Sequence, residues 1–370
     1  MRNAIVLFHR WLALATSIVI FLLGVTGSAL VFEGAIDREL HPELWRVTPS
    51  GTVLPLDTVV ARARSAVPKA RVTDVLLSGH PDRAYLVLAG STRVFVNPYS
   101  GAVLGTRDRN ANDRLLPRRL HLLHVNLMLG RAGGEIIALA TLASFLLVLG
   151  GVYLWWADKL WRIRWRASWK RIAYDLHHSL GIVAALVLLA ITGSGMIMHY
   201  HVLGAFVAGI GARPQGGPPA QTRGTSTAVP VSLDSAMRAA KTALSAASVS
   251  MVTFPLNVDL PYVITMRFPE DRTPGGRSRV YVDRFTGTVL LAESTRAGGA
   301  GARLTAEIRS IHTGDVFGKP TEALWLVVAL ILSSQAVTGF LMWWNGRAAR
   351  AATARSAKLR AGAMAGARPD

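Results

Sequence analysis

Four histidines occupy matching places in two copies of one segment. His124, Gly130, Gly151, Trp155 and Trp156 recur as His312, Gly318, Gly339, Trp343 and Trp344, without a gap. At the other end of each copy, His9-Arg10-Trp11-Leu12 is answered by His177-His178-Ser179-Leu180, and Val25-Thr26-Gly27-Ser28 by Ile191-Thr192-Gly193-Ser194. Imidazole is neutral near pH 7, binds a transition metal through one ring nitrogen and orients itself by donating from the other. When equivalent side chains from two related halves converge on a common axis, they suit the two axial positions of a haem. The expected pairs are His9 with His177 and His124 with His312, holding two non-covalent haem b groups. With both axial positions filled, one-electron transfer is favoured over oxygen binding. Gly24, Gly27, Gly150, Gly151, Gly193, Gly195 and Gly339 lie near these histidines and would let helices or a porphyrin approach closely, although tight helix packing alone also explains them.

Other histidines leave alternatives open. His199 near the end of an apolar run, or His121 three residues before His124, can replace an outer ligand. His178 is an alternative beside His177, though a solvated or structural role suits it and His201 better; His41 and His80 read as loop residues. A divalent-metal site at His121-x-x-His124 competes, but no clustered carboxylate or cysteine completes a zinc pattern. The chain has no cysteine, which removes disulfides, thiolate-bound haem, iron–sulfur clusters and covalent c-type haem attachment. No phosphate loop, dinucleotide fingerprint or nucleophile elbow is present to support ATP-driven or hydrolytic chemistry.

The elements that must position these residues are apolar. Residues 11–32, 134–156, 179–200 and 323–344 form runs close to the roughly 20 residues that cross a bilayer core. Half of the chain is hydrophobic, yet 17% is charged, as expected of a membrane protein with sizeable aqueous portions. Basic residues resist translocation, and they cluster in 157–178 (Lys159, Arg162, Arg164, Arg166, Lys170, Arg171) and in the tail 345–370. Both termini and the 157–178 loop are therefore expected to be cytoplasmic, with 33–133 and 201–322 outside the cytoplasmic membrane. Tyr153, Trp155, Trp156, Trp343 and Trp344 suit the cytoplasmic interface. The excess of 41 Lys and Arg over 22 Asp and Glu sits largely in these flanks, and no basic-aromatic motif accompanies it, so nucleic acid is not an expected partner. The N-terminal run is long and lacks a small-x-small cleavage site, so it reads as a retained anchor.

Each copy thus reads as helix, exterior domain, helix. In the first exterior segment, 56–67 has helical spacing with Asp57 as a possible cap, and 73–77, 84–89 and 93–96 read as strands. The second begins similarly at Leu233-Asp234, with later strands at 262–268 and 279–282. Phe95 to Leu104 and Tyr281 to Leu290 match as hairpins that turn through Gly101 and Gly287. Residues 211–230 read as a flexible connector, 270–278 and 294–303 as exposed loops, and the Ala-rich tail after Asn345 as disordered or surface-associated.

The motifs Phe8-His9-Arg10-Trp11-Leu12, Leu123-His124, Asp175-Leu176-His177-His178-Ser179-Leu180-Gly181, Ile311-His312-Thr313-Gly314 and the terminal Trp pairs resemble the PepSY-associated transmembrane family over about residues 1–345. His178 departs from the Arg common at its place. The resemblance implies an α+β membrane protein with four transmembrane helices from two tandem helix-domain-helix repeats and two periplasmic PepSY-like domains. It also implies a di-haem ferrisiderophore reductase of a Gram-negative inner membrane, with electrons from a quinol or cytoplasmic donor. Arg114, Arg118, Arg119 and Arg309 lie close in sequence to the outer histidines and are candidates for docking an anionic ferric siderophore. The alternative is a non-enzymatic scaffold or sensor whose PepSY domains bind an envelope partner. Metal permeation is a third reading, but only Glu135 places a carboxylate within a span.

Overall fold

The computed structural model describes residues 1–108, 116–211, 222 and 229–365. In chain order the helices are α1 (Arg2–Leu30), α2 (Glu33–Leu40), α3 (Pro42–Trp45), α4 (Leu56–Ala66), α5 (Leu116–Asn126), α6 (Gly130–Asp158), α7 (Trp169–His199), α8 (His201–Gly209), α9 (Leu233–Ala243), α10 (Ala300–Thr313) and α11 (Lys319–Ala365). The strands are β1 (Val72–Leu76), β2 (Tyr85–Ala89), β3 (Thr92–Val96), β4 (Val103–Asp108), β5 (Ser248–Thr253), β6 (Tyr262–Arg267), β7 (Ser278–Val282) and β8 (Val289–Glu293). The chain divides into a helical unit (residues 1–31, 120–199 and 323–370) and a sheet unit (32–119 and 200–322).

In the helical unit, α1, α6, α7 and α11 are each long and apolar enough to cross a membrane. Their outward residues remain apolar: Ile18 is 76% and Leu186 80% exposed, which a water-facing surface would not favour but hydrocarbon does. The inward faces use small residues. A Cβ at Gly24 would lie 2.7 Å from the Ala329 carbonyl oxygen, so α1 and α11 approach at backbone distance, and Ser333 Oγ donates to the Phe21 carbonyl at 3.2 Å. Ala184 and Leu188 of α7 pack with Val328 of α11, and Val148 of α6 joins them. Thr192 and Ser144 satisfy their buried hydroxyls by donating to the carbonyls four residues back, Leu188 at 2.7 Å and Ala140 at 2.8 Å.

All four long helices extend beyond the expected spans, α7 and α11 into segments expected to be a loop and a tail. α7 begins at Trp169, so His177 and His178 stand on a helix rather than in the basic loop. Its first turns are tied to that loop: Asp175 accepts from Arg164 N at 3.1 Å and pairs with Arg171 Nε at 2.8 Å. Trp155 Nε1 donates to the Leu160 carbonyl at 2.9 Å on the other side. The tail after Asn345, expected to be disordered or surface-associated, continues α11 to Ala365; Ala, Arg, Lys and Leu are strong helix formers, and the sequence there has no proline before Pro369 to stop it.

The sheet unit is built around one antiparallel sheet of eight strands in the order β4-β3-β2-β1-β5-β6-β7-β8. The two segments between the spans, 32–119 and 200–322, therefore share a sheet, joined at its centre by β1 and β5 with Val75 opposite Val252. They also share a core, in which Val59, Ala63, Val75 and Val87 meet Ala236, Ala240, Val252 and Ile264. The strand β5 is not marked in the sequence because Ser248 and Ser250 break its apolar pattern. The two helices lying on the sheet exchange caps. Asp57, expected to cap its own helix, accepts from Leu233 N of α9 at 2.9 Å, and Asp234 accepts from Leu56 N of α4 at 3.0 Å. Each carboxylate so satisfies an orphan amide at the other helix's positive end.

The two matched hairpins adopt the same turn. Asn97 Oδ1 accepts from Tyr99 N at 2.8 Å and Asp283 Oδ1 from Phe285 N at 2.8 Å. Gly101 (φ 72°) and Gly287 (φ 74°) then supply the left-handed residue that the turn requires. Within the loops expected at 270–278 and 294–303, Ser278 opens β7 and Ala300 opens α10. Asp37 of α2 holds Trp45 Nε1 at 3.0 Å and Arg107 Nη1 at 2.7 Å, fastening the short helices over Phe95.

Candidate functional site: a histidine-lined cavity

Four long helices with small inward residues can leave space between them where glycine replaces a side chain. Such a cavity, of about 490 Å³, opens among α1, α6, α7 and α11, within the range of small-ligand and cofactor sites. Its walls are mainly apolar, with Leu14, Ile20, Leu147, Leu188, Leu332 and Phe340 among them, and His9, His177 and His178 project into it. Glycine makes the room. A Cβ at Gly150 would stand 3.4 Å from His9 Nδ1, one at Gly151 3.6 Å from His9 Cε1, and one at Gly339 3.3 Å from His177 Cε1. Gly151 and Gly339 are repeat-matched, so the same residue type borders the expected histidine in each copy.

His9 and His177 face one another across the bundle with ring centres 6.5 Å apart and planes at 85°. Two metal–nitrogen bonds of about 2 Å, each continued by about 1 Å to a ring centre, span about 6 Å. The separation thus matches a pair of axial imidazoles on one metal.

The hydroxyl beside His177 fixes its tautomer. Thr338 Oγ1 lies 2.7 Å from the Ser334 carbonyl, four residues back, and 3.0 Å from His177 Nδ1. A hydroxyl has one proton, and the carbonyl can only accept it. The Thr338 oxygen must therefore accept from His177 Nδ1–H, which leaves Nε2 with its lone pair, the state a metal ligand needs. The same device recurs on α1 and α5: Thr26 Oγ1 donates to the Leu22 carbonyl at 2.6 Å and stands 2.9 Å from His124 Nδ1, beside Gly27, whose Cβ position is 3.2 Å from His124 Cε1. His9 lacks it. Gly150 takes the place that Thr338 holds in the second copy, and His9 Nδ1 is buried without a hydrogen-bond partner.

These donors fit a haem b. Two imidazoles at axial spacing, an apolar enclosure and glycine clearances suit the macrocycle. Arg2 and Arg10 line the same cavity, and Arg10 Nε is buried without a hydrogen-bond partner, as suits carboxylates at the edge of such a group. Sequence reasoning missed Thr338 and Gln335, whose Nε2 is buried and unpartnered in the cavity wall. Their signal was present: Ser333-Ser334-Gln335 and Thr338 are polar residues inside an apolar span, where unsatisfied polar groups are costly.

The remaining expected residues are placed as follows. His178 stacks on Tyr174 at 4.0 Å and bonds its carbonyl through Nδ1 at 2.9 Å, a structural use of that ring. His199 of α7 lies 3.6 Å from Glu135 Oε2. His121 is half-buried on α5, one turn before His124, and His312 is half-buried on α10, in the sheet unit. Arg118, Arg119 and Arg309 are exposed, and Arg114 lies outside the described residues. Among the described residues no group of three or more His, Asp or Glu side chains is placed to hold a metal ion, an arrangement that a pair of axial imidazoles does not require.

A comparison with curated proteins finds no match. The family model described as the PepSY-associated TM region matches residues 6–345, taking in all eight strands and at least part of every helix described above, and the chain belongs to this family.

Proposed function

We propose that the chain is a haem b membrane oxidoreductase that reduces a ferric chelate. The observation that carries this reading is the His9–His177 pair, at axial spacing in an apolar cavity inside a membrane-spanning bundle. Bound haem supplies one-electron transfer there. The residues of the chain bind and tune it: His9 and His177 provide the ligands, Thr338 holds His177 in its ligating tautomer, and Arg2 and Arg10 supply positive charge. Leu14, Leu147, Leu188 and Leu332 exclude water, which disfavours hydration of the ligand nitrogens and keeps the local dielectric low. A second haem is assigned to His124, tautomer-locked by Thr26, with His312 as its expected partner and His199 or His121 as alternatives.

The substrate is an Fe(III) chelate such as a siderophore, with Fe(II) as product; hard oxygen donors hold Fe(III) more firmly than Fe(II), so reduction loosens the chelate. Quinol or a cytoplasmic reductant supplies the electrons. The basic loop around Lys159 to Arg171 and the basic tail support cytoplasmic termini in a bacterial inner membrane, with the sheet unit on the periplasmic side.

Purified, haem-replete protein should give a b-type spectrum on dithionite reduction, with about two haems per chain by pyridine haemochrome. It should also reoxidise on adding ferric citrate, with Fe(II) trapped by a chromogenic chelator. A colourless preparation that fails to take up added haemin would overturn the haem assignment. Reduced protein that ferric citrate leaves reduced would overturn the reductase.

A further inference from the structure

The sheet unit contains a second cavity, of about 660 Å³, where the end of β1's approach, the start of α9 and the ends of β5 and β7 come together. Its charged lining is lopsided. Arg64, Arg71 and Arg284 line it against a single carboxylate, Asp57, and Asp57 already accepts from Leu233 N. None of these three arginines forms an ion pair among the described residues. Arg71 is fixed in place by donating from Nη2 to the Pro255 carbonyl. Arg284 Nε is buried without a hydrogen-bond partner, a donor that costs free energy until something accepts from it. Phe254 and Tyr262 form an aromatic corner of the same cavity, with rings 5.8 Å apart, and Arg64 lies over Phe254 at 5.8 Å.

The matched positions of the two halves differ in part. In the matched hairpin of the first segment, the place of Arg284 is taken by Pro98, and at the corresponding place on α9 the counterpart of Arg64 is Lys241.

We propose that this cavity binds a small organic polyanion whose carboxylates, or other oxyanion groups, are carried on an apolar or aromatic body. Arg71 and Arg284 offer planar forks to the oxyanions, and Phe254 and Tyr262 offer faces to the body. The site is independent of the haem assignment, since it uses no histidine and lies wholly within the sheet unit.

The test is calorimetric titration of the full chain in detergent, at fixed ionic strength, with trimesate as the aromatic probe and inorganic phosphate as the control. Trimesate is expected to bind saturably with one site per chain and at least about tenfold more tightly than phosphate. Arg284→Gln and Arg71→Gln should each weaken it about tenfold or more, as expected for loss of a bidentate charge-assisted contact. Arg303→Gln, on the exposed face of α10, should leave it unchanged. Should Arg284→Gln fail to fold by thermal melting, Arg284→Lys retains the charge without the fork and should still weaken binding. Absence of saturable trimesate binding overturns the proposal. Equal weakening by Arg303→Gln does so as well, because it would reduce the effect to general surface charge. Phosphate binding as tightly as trimesate overturns the assignment of an organic body.

Discussion

Replacing Thr338 by valine keeps the shape of the side chain and removes the hydroxyl acceptor that faces His177 Nδ1–H. The structure sets the size of the effect. Because the Thr338 proton is held by the Ser334 carbonyl at 2.7 Å, the imidazole is the donor across the 3.0 Å contact. After substitution the ring either buries an unsatisfied N–H, at about 1–3 kcal/mol, or adopts the other tautomer, whose Nε2 is protonated and cannot ligate. Either route weakens the ligand, and loss of such an outer partner typically lowers metal affinity about 10- to 100-fold. Haemin titration of the apoprotein, followed by the Soret band, should show this loss for the His9–His177 cavity, while Thr338→Ser should recover affinity to within about threefold, since it retains the hydroxyl. Nitrogen NMR of labelled histidine in the apoprotein should show the His177 resonance leaving the Nδ1–H tautomer in Thr338→Val alone, a readout that mere loss of packing would not move. If Thr338→Val binds haemin as the wild type does, or His177 keeps its tautomer without the hydroxyl, the reasoning about the shared proton fails.

Other outcomes follow from the same geometry. His9→Ala and His177→Ala should each lower haem content from about two to about one per chain, measured against protein concentration by pyridine haemochrome. Gly24→Leu forces a side chain into the Ala329 backbone 2.7 Å from its Cβ position; overpacking of this kind costs about 1–3 kcal/mol or more, visible as a lower melting temperature in detergent. Asp57→Ala and Asp234→Ala should each cost about 0.5–2 kcal/mol by loss of a cap, and a thermal double-mutant cycle should show them coupled, since both caps form where the starts of α4 and α9 meet. In the sheet unit, the Arg296 guanidinium grips Glu270, with Nη2 to Oε2 at 3.0 Å, and holds its carboxyl well below the ordinary 4.5, at about 2. A depressed carboxylate stabilises above its unfolded value and loses that contribution as pH falls through the folded one. Glu270→Gln should therefore flatten acid sensitivity between about pH 4.5 and 2, by a small amount because the pair is exposed.

The sequence by itself determined the elements whose cause is local. Four apolar runs required four membrane helices, since length and hydropathy suffice for that inference. Asn97, Gly101, Asp283 and Gly287 required two like turns, because only a side-chain acceptor followed by a left-handed residue closes them. The histidines at His9 and His177 were legible as a pair because the duplication supplied the symmetry that would bring them together. Helix ends were not legible: His177 fell in a loop because the basic flank resembled one, whereas Asp175 and Arg171 in fact sustain a helix there.

What only the tertiary structure decided are matters of partner choice. Asp57 looked like the cap of its own helix, and it caps α9, because the two segments meet along β1 and β5 and bring each helix start to the other's carboxylate. Ser248 to Thr253 carries too short and broken an apolar pattern to mark a strand by itself, and pairing on both sides makes it one. Thr338 and Gly150 occupy the same place in the two copies, yet one orients an imidazole and the other leaves it unpartnered. No spacing along a chain encodes such pairings, since a hydrogen bond depends on where a distant helix places its donor, and that is fixed only when the helices pack.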